Sequence, residues 1–157
     1  MDIAAMIPSD LGVEIAAFVV TVPPGFDVGA HVHAEGMELF YIIEGTLDLF
    51  AFTPVTFQGP WASWRSPTEA TAVQAHAGDF MFVPPGCPHA FANPGPEPAR
   101  MFFLTSTPGH ESYFSELAQA VTSGADQDAI IRIRARYGIE QLTMPRIPKS
   151  KGHEDDE

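Results

Sequence analysis

Two histidines separated by one residue, His31 and His33, precede an apolar run headed by a carboxylate, Glu38. Successive side chains of a strand alternate between its faces, so His31 and His33 share a face roughly 6.6 Å apart along the strand. Two imidazoles on one face can converge on one metal ion. From Glu38 the chain continues Leu39-Phe40-Tyr41-Ile42-Ile43, apolar on both faces as in a strand buried on both sides. A carboxylate at the head of such a strand is costly to bury unless it is paired or ligates a metal, which makes Glu38 a third candidate ligand. A further histidine, His89, follows Pro84-Pro85-Gly86-Cys87-Pro88. The prolines restrict the backbone and Gly86 permits positive φ, so this loop fixes the direction of His89.

The elements that must carry these residues are mostly strands. Residues 13–22 are rich in β-branched side chains and run into Pro23-Pro24-Gly25, a strand ending in a turn. Glu44-Gly45 before Thr46-Leu47-Asp48-Leu49-Phe50-Ala51-Phe52 reads as a hairpin turn, which implies antiparallel pairing. Residues 53–70 form a long connection without a clear period. Strand signals resume at Thr71 to Ala77, after Gly78, around His89 to Ala92, and at Arg100 to Ser106. Short strands punctuated by Gly and Pro point to a sandwich or barrel. After Pro108-Gly109 the period becomes helical: Tyr113, Phe114, Leu117, Ala118 and Val121 mark one helix. Asp126 caps a second that carries Ile130, Ile133 and Tyr137. Gly138 supplies its stop, with Ile139 expected to fold back onto the last turn.

The whole chain bounds what this site can serve. Its 157 residues suit one domain over 1–147, with the β part about 13–106, helices about 110–138 and a mobile acidic tail at 148–157. Twenty acidic against eight basic residues give a net charge of −12, which opposes binding to nucleic acid and to anionic membranes. No apolar run approaches the roughly 20 residues that span a bilayer. The N-terminal Met1-Asp2-Ile3 has an acid where a secretory signal wants basic charge. Cys87 is the only cysteine, so no intrachain disulfide forms, and a cytoplasmic location is expected.

Gly25, His31, His33, Glu38 and Gly45, followed by Gly78, Pro84, Gly86, His89 and Asn93, fill every defining position of the two cupin motifs at the required spacing. The sequence thus resembles the cupin superfamily, over roughly residues 13–106. The resemblance implies an all-β fold, an antiparallel jelly-roll barrel, here with two C-terminal helices packed on it. It also implies one divalent transition metal (Fe, Ni, Mn, Co, Cu or Zn) on His31, His33, Glu38 and His89. With four protein ligands an octahedral ion keeps two positions for substrate and a second reactant. Pro108-Gly109-His110-Glu111 and Arg136-Tyr137-Gly138-Ile139-Glu140 further look like small single-domain cupins called quercetin-dioxygenase-like. The implied function is a metal-dependent enzyme acting on a small enolic or aromatic substrate, a quercetinase-like dioxygenase, with Glu38 as ligand or base. A non-redox cyclase or isomerase of polyketide type and a non-catalytic small-molecule binder are the alternatives. Cupins usually pair, so a homodimer is expected.

The remaining chemistry-bearing residues divide into pocket candidates and packing. Trp61, Trp64 and Arg65 either cover the barrel mouth and stack on a flat substrate or pack the long connection onto the barrel. Tyr41 and Arg100 are weaker pocket candidates, because strand alternation alone does not say which face is inward. Glu35 falls outside the motif register and reads as solvated. His76 and His110 read as surface or capping residues, Cys87 as a small buried hydrophobe, and Tyr113, Phe114 and Leu117 as core.

Overall fold

The computed structural model describes residues 2–7, 15–107 and 109–148. The expected strand start at 13–14 and the tail from 149 lie outside them. In chain order the strands are β1 (Asp2–Ile7), β2 (Ala16–Val22), β3 (His31–His33), β4 (Glu38–Glu44), β5 (Thr46–Ala51), β6 (Val73–His76), β7 (Phe80–Val83), β8 (His89–Ala92), β9 (Ala99–Thr105) and β10 (Ile139–Gln141). The helices α1 (His110–Thr122) and α2 (Gln127–Arg136) fall between β9 and β10. None of the described helices is long and apolar enough to cross a membrane.

Two five-stranded antiparallel sheets face one another, in the orders β1-β2-β9-β4-β7 and β10-β3-β8-β5-β6. Among the described residues their ladders stay separate rather than closing into one cylinder. The period of two decides what lies between them. Phe18 and Val20 of β2, Phe40 and Ile42 of β4, Met101 and Phe103 of β9, Leu47 and Leu49 of β5 and Phe91 of β8 are all buried in one cluster. Phe40 stacks on Phe103 at 4.8 Å between ring centroids. The hairpin from β4 to β5 turns at Gly45, whose φ is 81°. A Cβ there would meet the backbone and side chain of Ala99 at 3.0 Å, so the turn requires glycine on both counts.

Asp126 caps α2 as expected, its Oδ1 accepting from the backbone N–H of Ala129 at 2.8 Å. Tyr113 and Leu117 of α1, Ile130 and Ile133 of α2 and Ile139 of β10 form a second buried cluster. Phe114 joins it to the main core, edge-on to Phe18 at 4.9 Å.

Two elements differ from the sequence reading, and each extends a sheet. Asp2–Ile7 pairs with β2 as an edge strand. Its Ala-rich sequence carries little strand propensity, and its register with β2 supplies what propensity does not. Ile139 does not fold back onto the end of α2 but begins β10, opposite His33, while Gln141 stands opposite His31. Ile139 still packs on the helices, so its apolar contact holds while its backbone belongs to the sheet. The chain after the helices therefore returns to brace β3.

Candidate metal centre

Register brings the four candidate ligands together. His31 of β3 lies directly opposite His89 of β8, and their ring centroids are 4.2 Å apart. Alternation puts His33 on the same inward face as His31, with centroids 5.2 Å apart. Glu38 heads β4 in the facing sheet and reaches across, with Oε1 3.0 Å from His33 Nε2 and Oε2 2.8 Å from His89 Nε2. One donor atom from each of the four lies within 4.8 Å of the others. All four are buried, from 0% exposed at His89 to 6% at His31.

Backbone carbonyls set two of the imidazole tautomers. A carbonyl only accepts, so His31 Nδ1 donates to Gly29 at 2.8 Å and His89 Nδ1 donates to Cys87 at 2.9 Å. Both rings then turn an Nε2 lone pair inward, the arrangement that orients metal-ligating histidines elsewhere. His89 Nε2 and Glu38 Oε2, despite their 2.8 Å separation, are not aligned as a hydrogen bond and stand as buried polar atoms without a partner, as does His33 Nδ1. Facing lone pairs left unpaired in an apolar interior are costly, and a cation between them satisfies both. The donor set, three nitrogens and a carboxylate oxygen, fits a divalent transition ion.

The charges agree with this fit. Burial, followed by repulsion from His89, His33 and Arg134, holds the His31 imidazole well below its ordinary range, so it stays neutral and keeps its lone pair. Burial alone would raise the Glu38 carboxyl. When the His89 and His33 rings take up a proton, attraction from His89, hydrogen bonding from His33 and His89 and attraction from His33 overcome it and hold the group well below the usual carboxylate range. Glu38 is thus ready to ligate as an anion.

Behind these side chains opens a small, mostly apolar cavity of about 40 Å³. Phe26, Phe40, Phe91, Phe103 and Phe114 line it together with His31, His33 and Glu38. Three polar residues that the sequence reading placed elsewhere or passed over also line it: His110, Tyr113 and Arg134. His110 is buried rather than a surface or capping residue, with its ring 5.7 Å from that of His33. Burial is the main cause that lowers its imidazole to about 4. Helical spacing carried the missed signal. His110, Tyr113 and Leu117 fall on one stripe of α1, and Ile130, Ile133 and Arg134 on one stripe of α2, so the polar members share the apolar face.

None of the five pocket candidates lines this cavity. Phe40 and Ile42 point inward, so Tyr41 between them points out and is 43% exposed. Arg100 flanks the inward Met101 and is exposed, 3.9 Å from Glu44 across the outer surface. Arg65 is exposed beside Glu69 at 3.7 Å. Trp61 and Trp64 are buried against Phe50, at 5.3 and 5.6 Å between ring centroids, and pack the long connection onto the sheet at β5. Trp61 Nε1 donates to the Asp27 carboxylate and Trp64 Nε1 to the Gln58 carbonyl, which leaves neither indole N–H for a substrate. Cys87 is half-buried and burial raises its thiol, so its contribution to the site is the carbonyl that His89 uses. Glu35 is exposed outside the cluster, and His76 is exposed near Asp79.

Comparison with known proteins agrees with this fold. The cupin family profile matches residues 4–128, and the chain belongs to that family. The Schizosaccharomyces pombe Cnp3 cupin domain superposes with a TM-score of 0.51 at 19% identity, over 70% of this chain and 63% of that one. A Cupin 2 conserved barrel domain protein from Salinispora arenicola gives 0.48 at 18% identity, over 85% and 82%. Bacillus subtilis oxalate decarboxylase, studied for its Mn(II) centres, gives 0.48 at 27% identity over 65% of this chain and 24% of its own. This chain covers less than two thirds of the first of these structures. No curated protein matches the sequence significantly.

Proposed function

We propose that this protein is a metal-dependent cupin enzyme acting on a small enolic or aromatic molecule, and that its reaction is a quercetinase-like dioxygenation. The observation that carries the reading is the buried convergence of His31, His33, Glu38 and His89, with unpaired donor atoms, at the wall of an aromatic-lined cavity. These four residues would hold the ion. A divalent transition ion there supplies Lewis acidity toward an enol or phenol oxygen and, where redox-active, one-electron chemistry. The protein supplies the rest. Gly29 and Cys87 hold the rings of His31 and His89 in position, and the Phe-lined walls exclude water. Glu38 is the residue placed to receive an enol or phenol proton at Oε2 if it leaves the ion.

The test is oxygen uptake by Fe, Ni, Mn, Co and Cu forms against flavonols and other enolisable aromatics. Uptake coupled to substrate loss supports the reading, and no uptake in any form rejects the dioxygenase. A non-redox cyclisation or isomerisation is favoured by one observation: His110 is a neutral imidazole in the same cavity, able to move a proton without a change in oxidation state. Turnover that persists under strict anaerobiosis selects it. A ligand retained unconverted in native mass spectrometry selects a binding protein instead.

The active form we propose is a homodimer. Tyr41, Phe80 and Phe82 form an exposed apolar patch on the outer face of β4 and of the edge strand β7, and such patches mark association surfaces.

A further inference from the structure

Resting on the proposed small-molecule site and narrowing its substrate class, we infer that Arg134 and Tyr113 form an anion-recognition subsite in the cavity, which selects a substrate carrying a carboxylate or a comparably compact anionic head. Arg134 is 1% exposed and is the largest fully buried side chain among the described residues. A buried guanidinium is expensive unless a counter-charge compensates it. Among the described residues no carboxylate pairs with it.

Its hydrogen bonds can be counted. Arg134 Nε donates to the Tyr113 hydroxyl oxygen at 3.0 Å, and Nη1 donates to the Val28 carbonyl at 2.7 Å and to Gln141 Oε1 at 2.5 Å. A guanidinium has five N–H donors, and these three bonds use Nε and both hydrogens of Nη1. The two on Nη2 have no protein acceptor among the described residues. Tyr113 is left in a matching state. Its oxygen accepts from Arg134, so its own O–H remains to donate, and no acceptor for it exists among the described residues. Both residues line the cavity that His31, His33 and Glu38 also line.

The three bonds that Arg134 does make fix its geometry. Val28 precedes the Gly29 that orients His31, and Gln141 Nε2 in turn donates to the carbonyls of Ala30 and Thr143. The guanidinium is therefore held by the same backbone that aims a candidate metal ligand. It presents a fixed positive edge and an O–H donor in an otherwise aromatic cavity. A carboxylate accepts such paired donors and neutralises the buried charge, whereas a neutral amide of the same shape does only the first. The small space and the surrounding phenylalanines suit a compact monocarboxylate rather than a polyanion.

The test uses full-length protein stripped of metal with EDTA, so that no carboxylate can bind an ion, and compares acetate with its neutral isostere acetamide by calorimetry at pH 7.5. Acetate should bind at least tenfold tighter, and Arg134→Met should bring the ratio close to one. Tyr113→Phe should weaken acetate several-fold and leave acetamide unchanged. Equal binding of the two by the wild type, or binding of neither, overturns the inference, and this outcome does not depend on whether Arg134→Met folds. Metal content of the unstripped batches is measured in parallel. Stoichiometric metal without acetate selectivity leaves the metal reading standing and removes the anion subsite, whereas acetate selectivity without metal does the reverse.

Discussion

His31 and His89 stand directly opposite each other on β3 and β8, so the cluster depends on strand register and not on loop placement. A slip of one residue would turn each imidazole to the outer face. Because both rings are tethered to carbonyls, His89 Nε2 faces Glu38 and the four donor atoms lie within 4.8 Å of one another, ion binding should require little rearrangement. Saturating metal at about a thousand times its Kd should then raise stability by about 4 kcal/mol, read as a rise in Tm that EDTA reverses. His31→Ala and His89→Ala should lose stoichiometric metal by elemental analysis. Full retention in both would reject the site.

His110 gives the fold a measurable pH dependence. Its imidazole falls from 6.5 to about 4 on folding, so between those values the unfolded chain binds the proton that the folded one refuses. Its contribution is complete above pH 6.5 and is lost as the pH falls toward 4. At 1.36 kcal/mol per pK unit the total is about 3 kcal/mol. His31 in the metal-free protein acts in the same direction. Comparing wild type with His110→Phe cancels that shared part. Denaturant unfolding should show the variant gaining about 3 kcal/mol on the wild type between pH 7 and pH 4, and parallel curves would show that His110 titrates normally.

The spacing of the two motifs was enough to name the four clustered residues, because strand alternation and a proline-fixed loop are local rules that register merely completes. The inward direction of β4 was less legible. Phe40, Tyr41 and Ile42 are all apolar, and only the facing sheet decides that Phe40 and Ile42 are core and Tyr41 surface. The cavity's second wall was hidden for another reason. His110 and Arg134 look like surface residues in a list, and their burial follows from α1 and α2 folding back over the open side of the sheets. The Ala-rich β1 and the three-residue β10 depend on pairing partners distant in sequence, which no local pattern announces.

Trp61, which does not line the cavity, should nevertheless affect the ion. Its Nε1 donates to both carboxylate oxygens of Asp27, whose Oδ1 also accepts from the Gly29 N–H, and the Gly29 carbonyl holds His31 Nδ1. The long connection thus reaches a candidate ligand through one aspartate and one glycine. Outer partners of metal-ligating histidines typically contribute about 10- to 100-fold in affinity, and Trp61 acts one step further out. Trp61→Phe keeps the stacking on Phe50 and removes only the N–H. It should weaken metal binding by up to about tenfold with the fold intact by circular dichroism. Unchanged affinity would confine Trp61 to packing.

The outward patch tests association. Tyr41 pairs with Phe80 and Leu39 with Phe82 across β4 and β7, and Phe80 and Phe82 are 67% and 49% exposed on a strand whose other edge has no partner among the described residues. Exposed edges of this kind invite pairing with another chain. Two copies each carry a net charge of −12, so their pairing has to rest on apolar burial against electrostatic repulsion. Added salt screens that repulsion and should tighten the dimer, the opposite of what an interface built on ion pairs would show. Light scattering should report twice the chain mass at micromolar concentration, with dissociation favoured at low ionic strength. Phe80→Glu adds a charge to each copy at the contact and should give a folded monomer. A wild type that stays monomeric at all salt concentrations would refute the pairing, and a dimer indifferent to Phe80→Glu would move the interface to another face.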